Sequence, residues 1–275
     1  MAKQKTSTQA SAVVTGAGSG IGRAFALELA ARGGRVICAD INLVTAQETV
    51  DLIAAKGGQA HALRCDVSQL AEVEALADQA EAWLGGPVDL VINNAGVGAG
   101  GQLVGDMPMA DWQWALGINL WGVIHGCHVF APRLRALGHG GIINVCSTAS
   151  FAAAPRMAAY NVSKAAALAL SETLSAEMAG TGIAVTALCP TFVKTNIARD
   201  GRITAGSSRM AEKIMDWIGF APERVVKTTL DALDKNQLYV LPQFDARMIW
   251  RSKRLAPALY ARGAGLINRY AGSSL

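Results

Sequence analysis

The sequence has few charged residues, and they are unevenly placed. Only 17% of its 275 residues are charged, and the formal net charge is +4. Residues 240–275 hold six of the 25 lysines and arginines but one of the 21 acidic residues. The rest of the chain is therefore nearly neutral and offers no basic surface for nucleic acid, so we expect no nucleic-acid partner. With 51% hydrophobic residues, the composition also argues against a disordered chain.

Cysteine and histidine are scarce and scattered. The five cysteines are Cys38, Cys65, Cys127, Cys146 and Cys189. None forms a CxxC pair, so we expect buried thiols in a reducing compartment rather than a disulfide framework. His125 and His128 are three residues apart, but no carboxylate or cysteine nearby completes a metal site. We therefore expect no bound metal.

Long apolar runs are also missing. No stretch approaches the roughly 18–20 apolar residues that a membrane-spanning helix needs. The first ten residues are polar and lack the apolar core of a signal peptide. These absences predict a cytoplasmic protein with no membrane span.

Short apolar runs alternate with longer helical patterns. The predicted strands cover residues 12–15, 35–39, 60–65, 89–93, 141–146, 183–189 and 237–241. The predicted helices cover residues 21–32, 43–56, 70–84, 109–137, 158–179 and 222–235. This alternation predicts an α/β fold: a single doubly wound Rossmann-type domain, with a parallel sheet of about seven strands and helices on both faces. We place the domain at residues 1–245 and treat 246–275 as its basic and apolar C-terminal extension.

A glycine-rich turn follows the first predicted strand and leads into a helix. It reads Thr15-Gly16-Ala17-Gly18-Ser19-Gly20-Ile21-Gly22. Glycines let the backbone approach a pyrophosphate, and the helix N-terminus offers free N–H groups. The spacing differs from GxGxxG because residue 21 is isoleucine, and a plain tight turn is the alternative. Its place at the start of a βαβ unit favours a dinucleotide site.

An acidic residue, Asp40, ends the second predicted strand, 18 residues after Gly22. A carboxylate there can accept hydrogen bonds from both adenosine ribose hydroxyls and would repel a 2′-phosphate. No arginine follows Asp40 to bind such a phosphate, and Ser19 rather than a basic residue lies in the turn. The alternative is a solvated aspartate at a strand end. We predict NAD, not NADP, as the cofactor.

Tyr160 and Lys164 form a Tyr-x-x-x-Lys pair in an alanine-rich helical pattern. The i, i+4 spacing places them on one helix face. A phenol has a pKa near ~10 and is a poor base at neutral pH. A nearby ammonium and an oxidised nicotinamide both favour phenolate, so this pair fits general acid–base catalysis.

Several motifs in order resemble the short-chain dehydrogenase/reductase family over residues 8–240. The glycines of the first turn have that family's spacing, and Asn93-Asn94-Ala95-Gly96 follows the fourth predicted strand. Ser147 lies 13 residues before Tyr160, and Asn119 lies 28 residues before Ser147.

The resemblance implies four catalytic residues. Tyr160 would donate or accept the substrate proton, and Ser147 would hold the substrate oxygen. Lys164 would bind the nicotinamide ribose and lower the pKa of Tyr160. Asn119 would anchor a water that links Lys164 to solvent.

The resemblance also implies a set of residues around NAD. Asp66 and the Val67 backbone would contact adenine, and Asn93 would help to form that side of the site. Pro190 and Thr195 would approach the carboxamide. The full predicted set is Gly16, Ser19, Gly20, Ile21, Gly22, Asp40, Asp66, Val67, Asn93, Ala95, Gly96, Tyr160, Lys164, Pro190, Val193 and Thr195.

Two features depart from the family pattern. Thr191 stands where the family usually has glycine after proline, so we expect a different loop there, or a hydroxyl that meets substrate. Residues 245–275 extend past the usual end of the family.

Apolar residues near the predicted site favour an apolar alcohol or ketone as substrate. Candidate wall residues are Val97, Leu103, Phe151, Met157 and Phe192, with a cover from residues 196–220. Alternatives are ordinary core or subunit contacts for these residues. For the whole chain, the alternatives are a 3-oxoacyl reductase using NADPH, or a non-catalytic cofactor-binding sensor or lipid-binding protein.

Two further surfaces predict partners. The predicted helices at 109–137 and 158–179 carry much small and apolar surface, and family members pair such helices, so we expect a homodimer or homotetramer. Residues 246–270 mix basic and apolar side chains, which would suit peripheral contact with an anionic membrane. Pro257, Gly263 and Gly265 break this stretch, which favours packing on a partner or over the substrate crevice instead.

Overall fold

Seven parallel strands form the central sheet of the computed structural model, which describes residues 5–197 and 199–271. The described strands are β1 (Ser11–Thr15), β2 (Arg35–Asp40), β3 (Gln59–Arg64), β4 (Leu90–Asn93), β5 (Ala99–Gly100), β6 (Gly140–Val145), β7 (Ile183–Leu188), β8 (Arg202–Ile203) and β9 (Tyr239–Val240). The sheet order is β3-β2-β1-β4-β6-β7-β9, and the short β5 and β8 pair with each other. The order reverses beside β1, which creates a crevice at the strand ends between β1 and β4.

Helices connect the strands. The described helices are α1 (Gly20–Ala31), α2 (Leu43–Ala54), α3 (Leu70–Leu84), α4 (Met109–Leu116), α5 (Gly122–Leu137), α6 (Ala149–Ala152), α7 (Ala158–Glu177), α8 (Ala205–Ile218), α9 (Pro222–Leu233), α10 (Phe244–Leu255) and α11 (Pro257–Ala271). A π-helical turn, Gly117–Trp121, joins α4 to α5. The predicted helix over 109–137 is therefore one helical run with an extra residue inserted near its middle.

Alternate residues of each strand feed two apolar cores. Val13 and Ile37 pack toward α3, α5 and α7, while Val14 and Cys38 pack toward α1, α2 and α9. A strand buried on both faces reads as a nearly continuous apolar run, as β1, β4 and β7 do. The structure confirms a single Rossmann-type α/β domain with helices on both faces of a seven-stranded sheet.

The C-terminal segment differs partly from its prediction. A break at Ala256 separates α10 from α11, as the following Pro257 predicts. The expectation that Gly263 and Gly265 also interrupt the segment is wrong, because both lie inside α11. Glycine lowers helix propensity but does not remove a backbone hydrogen bond as proline does. Within the described ranges, no helix has the length and apolar character needed to cross a membrane.

The carboxyl ends of the parallel strands meet at one edge of the sheet. This edge carries the turn after β1, Asp40 at the end of β2 and Asp66 beyond β3. It also carries the residues that follow β4, β6 and β7. Side chains far apart in sequence are thus brought together where open α/β sheets bind ligands.

Candidate active site

The turn after β1 is shaped by glycines at positions with no room for a side chain. Gly16 (φ +64°) and Gly20 (φ +53°) adopt the left-handed conformation that favours glycine. A Cβ on Gly16 would lie 2.9 Å from Ala95 Cα, and one on Gly22 would clash with the Gly16 carbonyl. Asn94 secures the turn, because its Nδ2 donates to the carbonyls of Thr15 (2.8 Å) and Gly16 (3.2 Å). The turn, with the α1 N-terminus beside it, can receive a pyrophosphate.

Asp40 lies beside this turn. Its Oδ2 accepts a hydrogen bond from the Gly18 N–H (2.8 Å), and its Oδ1 accepts one from the Asn42 N–H (2.9 Å). The carboxylate is therefore fixed next to the glycine-rich turn.

The nearby Arg23 already has several partners. It pairs with Glu48 (2.8 Å), and its Nε donates to Thr49 Oγ1 (3.0 Å). It also donates to the Gly18 carbonyl. A guanidinium with these partners would have to break some of these contacts to bind a phosphate.

The predicted adenine side is built from the ends of β3 and β4. Asp66 accepts hydrogen bonds from the Ser68 N–H (3.0 Å) and hydroxyl (2.7 Å), and His125 Nδ1 lies 2.9 Å from the Val67 carbonyl oxygen. Asn93 does not aim its side chain at this site. It is buried and donates from Nδ2 to Asn144 Oδ1 (2.8 Å) inside the core. Any contribution of Asn93 to a bound cofactor would come from its backbone or through this network.

The π-helical turn places Asn119 against the residues after β4. Its Oδ1 accepts from the Val97 N–H (2.8 Å), and its Nδ2 donates to the Val97 carbonyl (2.9 Å). A Cβ on Gly96 would lie 3.0 Å from Asn119 Oδ1 and 3.3 Å from Lys164 Nζ. The amide and the ammonium therefore converge on Gly96, which must be small. Each amide atom of Asn119 retains capacity for one more hydrogen bond, as a bound water would need.

Ser147, Tyr160 and Lys164 are held together by β6 and α7. Lys164 is buried and donates from Nζ to the Val145 carbonyl (2.8 Å), two residues before Ser147. Its Nζ lies 5.9 Å from the centre of the Tyr160 ring. Ser150 ties the segment after β6 to α7, since its hydroxyl donates to the Lys164 carbonyl (2.8 Å). The three predicted catalytic side chains thus occupy one corner of the site, beside Gly96.

Burial shifts the acid–base properties of this corner. Burial raises the pKa of Tyr160, and hydrogen bonding with Ser147 acts in the opposite direction. Burial also lowers the pKa of Lys164. The lower pKa of Tyr160 that we predicted concerns a site that also contains an oxidised nicotinamide, and it stays a prediction. Within the protein itself, desolvation of the phenolate is the largest effect.

The loop after β7, residues 190–195, contacts both the segment after β6 and the glycine-rich turn after β1. The Pro190 carbonyl accepts from the Thr148 N–H (2.8 Å), next to Ser147. A Cβ on Gly20 would lie 3.0 Å from Thr195 Cγ2, so the loop reaches the glycine-rich turn. Val193 is buried and forms a backbone bridge with Phe220. This loop therefore lies beside both Ser147 and the glycine-rich turn, and its contacts with a nicotinamide stay a prediction.

Thr191, which stands where the family usually has glycine, uses its hydroxyl within the protein. Its hydroxyl donates to Asp245 Oδ1 (3.1 Å) at the start of α10. Among the described non-glycine residues, those with positive φ are Gln9, Ala153, Arg156 and Asn236. Thr191 is not one of them, so the loop forms without the left-handed conformation that a glycine would permit.

Sequence reasoning missed two polar groups. Asn144 is buried and joins Asn93 to Ser171, donating to the Ser171 hydroxyl (2.9 Å). Gln243 is also buried and bonds the loop after β7. A buried amide within an apolar run and a proline-flanked glutamine were the only signals, and neither identifies its partner. In the part of the chain that the structure describes, no cluster of three or more His, Cys, Asp or Glu side chains could hold a metal ion.

The chain matches a known family over most of its length. The family described as short chain dehydrogenase matches residues 10–205. The "Probable oxidoreductase EphD" of Mycobacterium tuberculosis is 37% identical over 234 residues, which cover 82% of this chain but 39% of that protein. This chain thus spans less than half the length of that relative.

Two further relatives match closely. The 7alpha-hydroxysteroid dehydrogenase of Escherichia coli strain K12 is 38% identical over 185 residues, which cover 67% of this chain and 71% of that protein. A crystal structure of a short chain dehydrogenase/reductase from Burkholderia phymatum in complex with NAD shares 35% identity, with a TM-score of 0.85. That match covers 90% of this chain and 94% of the other. This chain belongs to the short-chain dehydrogenase/reductase family and has its Rossmann fold.

Proposed function

We propose that this protein is an NAD-dependent dehydrogenase that interconverts an apolar secondary alcohol and its ketone. The observation that carries the proposal is the corner formed by Ser147, Tyr160 and Lys164 beside Gly96, at the strand ends where a dinucleotide would lie. When bound, the nicotinamide would supply or accept the hydride.

The chain's own residues would handle the proton and the substrate oxygen. The Ser147 hydroxyl would hold the oxygen against Tyr160. Tyr160 would take the hydroxyl proton during oxidation and return it during reduction, which is general acid–base catalysis. Lys164 would stabilise the phenolate and bind the nicotinamide ribose, and Asn119 would hold a water that carries the proton onward. Val145 positions Lys164, because its carbonyl accepts one of the ammonium protons.

The choice of NAD rests on Asp40. Its carboxylate lies against the glycine-rich turn and would meet a 2′-phosphate with like charge. A related structure holds NAD. Both observations favour an NAD-dependent dehydrogenase over a 3-oxoacyl reductase that uses NADPH.

Exchanging Asp40 for alanine should narrow the preference for NAD over NADP. The unmodified protein should bind NAD at least about tenfold more tightly, since the repulsion of one charge pair is worth about 1.4 kcal/mol or more at close range. Titration of both cofactors, followed by tryptophan fluorescence, would measure this. Asp51→Ala, on the exposed face of α2, is the matched control and should leave the preference unchanged. Equal affinity of the unmodified protein for both cofactors would contradict the assignment.

Exposed apolar side chains of the predicted wall and cover, together with one relative, support an apolar substrate. Leu103 and Phe192 remain partly exposed to solvent, and α8 presents Met210 and Trp217 to solvent. One relative is a hydroxysteroid dehydrogenase. Met215 and Phe220, by contrast, pack against the protein, so they are less suited to contact substrate.

A panel of secondary alcohols tests the proposed function. The unmodified protein should reduce NAD with hydroxysteroids or terpenoid alcohols, followed by absorbance of the reduced nicotinamide. Short polar alcohols and 3-oxoacyl thioesters serve as comparison substrates. NAD binding without turnover on any of them would favour a non-catalytic sensor or lipid-binding protein.

We also propose a closed homo-oligomer. Met109, Trp121 and Val162 are exposed on α4, the π-helical turn and α7, which are adjacent elements. Apolar side chains on neighbouring helices suit an isologous interface. Light scattering at micromolar concentration should give the mass of two or four chains, and a monomeric mass would contradict this.

A further inference from the structure

The loop after β7 is tied to the C-terminal segment by a pair of amide hydrogen bonds. Gln243 Oε1 accepts from the Thr191 N–H (3.2 Å), and its Nε2 donates to the Phe192 carbonyl (3.1 Å). Only 3% of Gln243 is exposed, so the amide is shielded from water. A buried amide that pairs with both a donor and an acceptor of one loop fixes that loop in a single register.

A second contact next to the first strengthens this attachment. The Thr191 hydroxyl donates to Asp245 Oδ1 (3.1 Å), and the same oxygen accepts from the Ala246 N–H (2.9 Å) within the first turn of α10. An acidic residue in the first turn of a helix is stabilised by the positive end of its dipole. Asp245 therefore stabilises α10 and holds the loop at once.

The attached loop borders the predicted cofactor site along its length. Its first residue, Pro190, accepts from Thr148 beside the catalytic Ser147, and Thr195 reaches Gly20 in the glycine-rich turn. One loop thus touches the catalytic corner, the pyrophosphate turn and α10. A displacement at Thr191 would move the residues that border the nicotinamide.

We propose that Gln243 and Asp245 are positioning residues, which hold the 190–195 loop in the conformation that binds the nicotinamide half of NAD. The proposal rests on the proposed NAD-dependent function. It assigns the start of α10, beyond the usual family pattern, to the cofactor site and not to a surface extension.

Gln243 variants test the amide pair. Gln243→Ala should weaken NAD binding by about 5–20-fold, the effect of losing two hydrogen bonds. It should raise the KM for NAD by a similar factor while kcat stays within about threefold. Amide hydrogen exchange in residues 191–197 of the cofactor-free protein should become faster.

Gln243→Glu tests the hydrogen bonds of residue 243 to the loop while keeping the size of its side chain. The carboxylate can still accept from the Thr191 N–H but repels the Phe192 carbonyl. Protonation at low pH restores a donor. NAD affinity relative to the unmodified protein should therefore recover as the pH falls from about 8 toward about 5, through the usual range of a buried carboxyl.

Asp245 variants provide a matched pair. Asp245→Asn keeps an acceptor for Thr191 and should leave NAD affinity within about twofold. Asp245→Ala should weaken it by about 3–10-fold. Arg251→Ala, on the exposed face of α10, is the control and should change neither affinity nor loop exchange.

Failure of the positioning proposal and failure of the proposed function give different results. If Gln243→Ala lowers the Tm but leaves both NAD affinity and exchange at 191–197 unchanged, the residue is only structural and the proposal is overturned. If the unmodified protein does not bind NAD, the proposed function fails. Loop exchange in the Gln243 variants then shows whether the attachment itself exists.

Discussion

Replacing Tyr160 by phenylalanine is expected to lower kcat by about 10²–10⁴-fold, the range of general acid–base catalysis. The ring stays in place, so the packing of α7 is retained and only the ionisable hydroxyl is lost. NAD affinity should remain within about threefold, because the ammonium of Lys164 keeps its bond to Val145. The variant thus separates proton transfer from cofactor binding.

Steady-state kinetics on a substrate from the alcohol panel, together with an NAD titration, would measure both quantities. Tyr239→Phe is the matched control. Its hydroxyl donates to Glu172 (2.6 Å), away from the proposed catalytic corner, so its loss should affect stability more than kcat. If Tyr160→Phe keeps more than about a tenth of the activity, the assignment of the proton-transfer group is wrong.

The fold could be predicted because its signals are local. Buried parallel strands read as short apolar runs, and helices repeat their apolar residues with a 3.6-residue period. The predicted fourth strand ends at Asn93, as β4 does, and the predicted second strand, residues 35–39, stops one residue before the end of β2 at Asp40. The i, i+4 spacing of Tyr160 and Lys164 likewise fixes their shared helix face.

Contacts between residues far apart in the chain could not be predicted from local sequence patterns. Gln243 lies 52 residues from Thr191, and nothing near either one indicates the other. The side-chain direction of Asn93 depends on Asn144 in the adjacent strand β6, with which it is in register. Such pairings follow from the sheet's register, which the sequence pattern does not specify between non-consecutive strands.

The π-helical turn is a further feature that periodicity could not reveal. Residues 109–137 read as one helix because an inserted residue shifts the apolar face without ending it. The insertion includes Asn119, whose amide bonds both backbone groups of Val97. Such insertions occur often at functional sites, which agrees with the role proposed for Asn119.

Lys164→Met should have the second large effect. The change removes the ammonium while keeping a side chain of similar length, so it tests charge more than packing. We expect kcat/KM to fall by at least about 10²-fold, since both ribose binding and phenolate stabilisation would be lost. NAD affinity should fall as well, unlike in the Tyr160 variant.

The pH dependence of the Lys164→Met variant identifies the role of the lysine in proton transfer. Burial already raises the pKa of Tyr160, so alcohol oxidation, which needs the phenolate, should rise with pH. A positive charge 5.9 Å from the ring centre opposes that effect of burial, and its removal should move the rise to higher pH by about 1–2 units. Profiles of kcat/KM from about pH 6 to about pH 10, the range that brackets the ordinary pKa of a phenol, would show the displacement. An unmoved profile in the Lys164→Met variant, together with weaker NAD binding, would assign Lys164 to cofactor binding alone, because a charge that stabilised the phenolate could not be removed without changing the pH at which it forms.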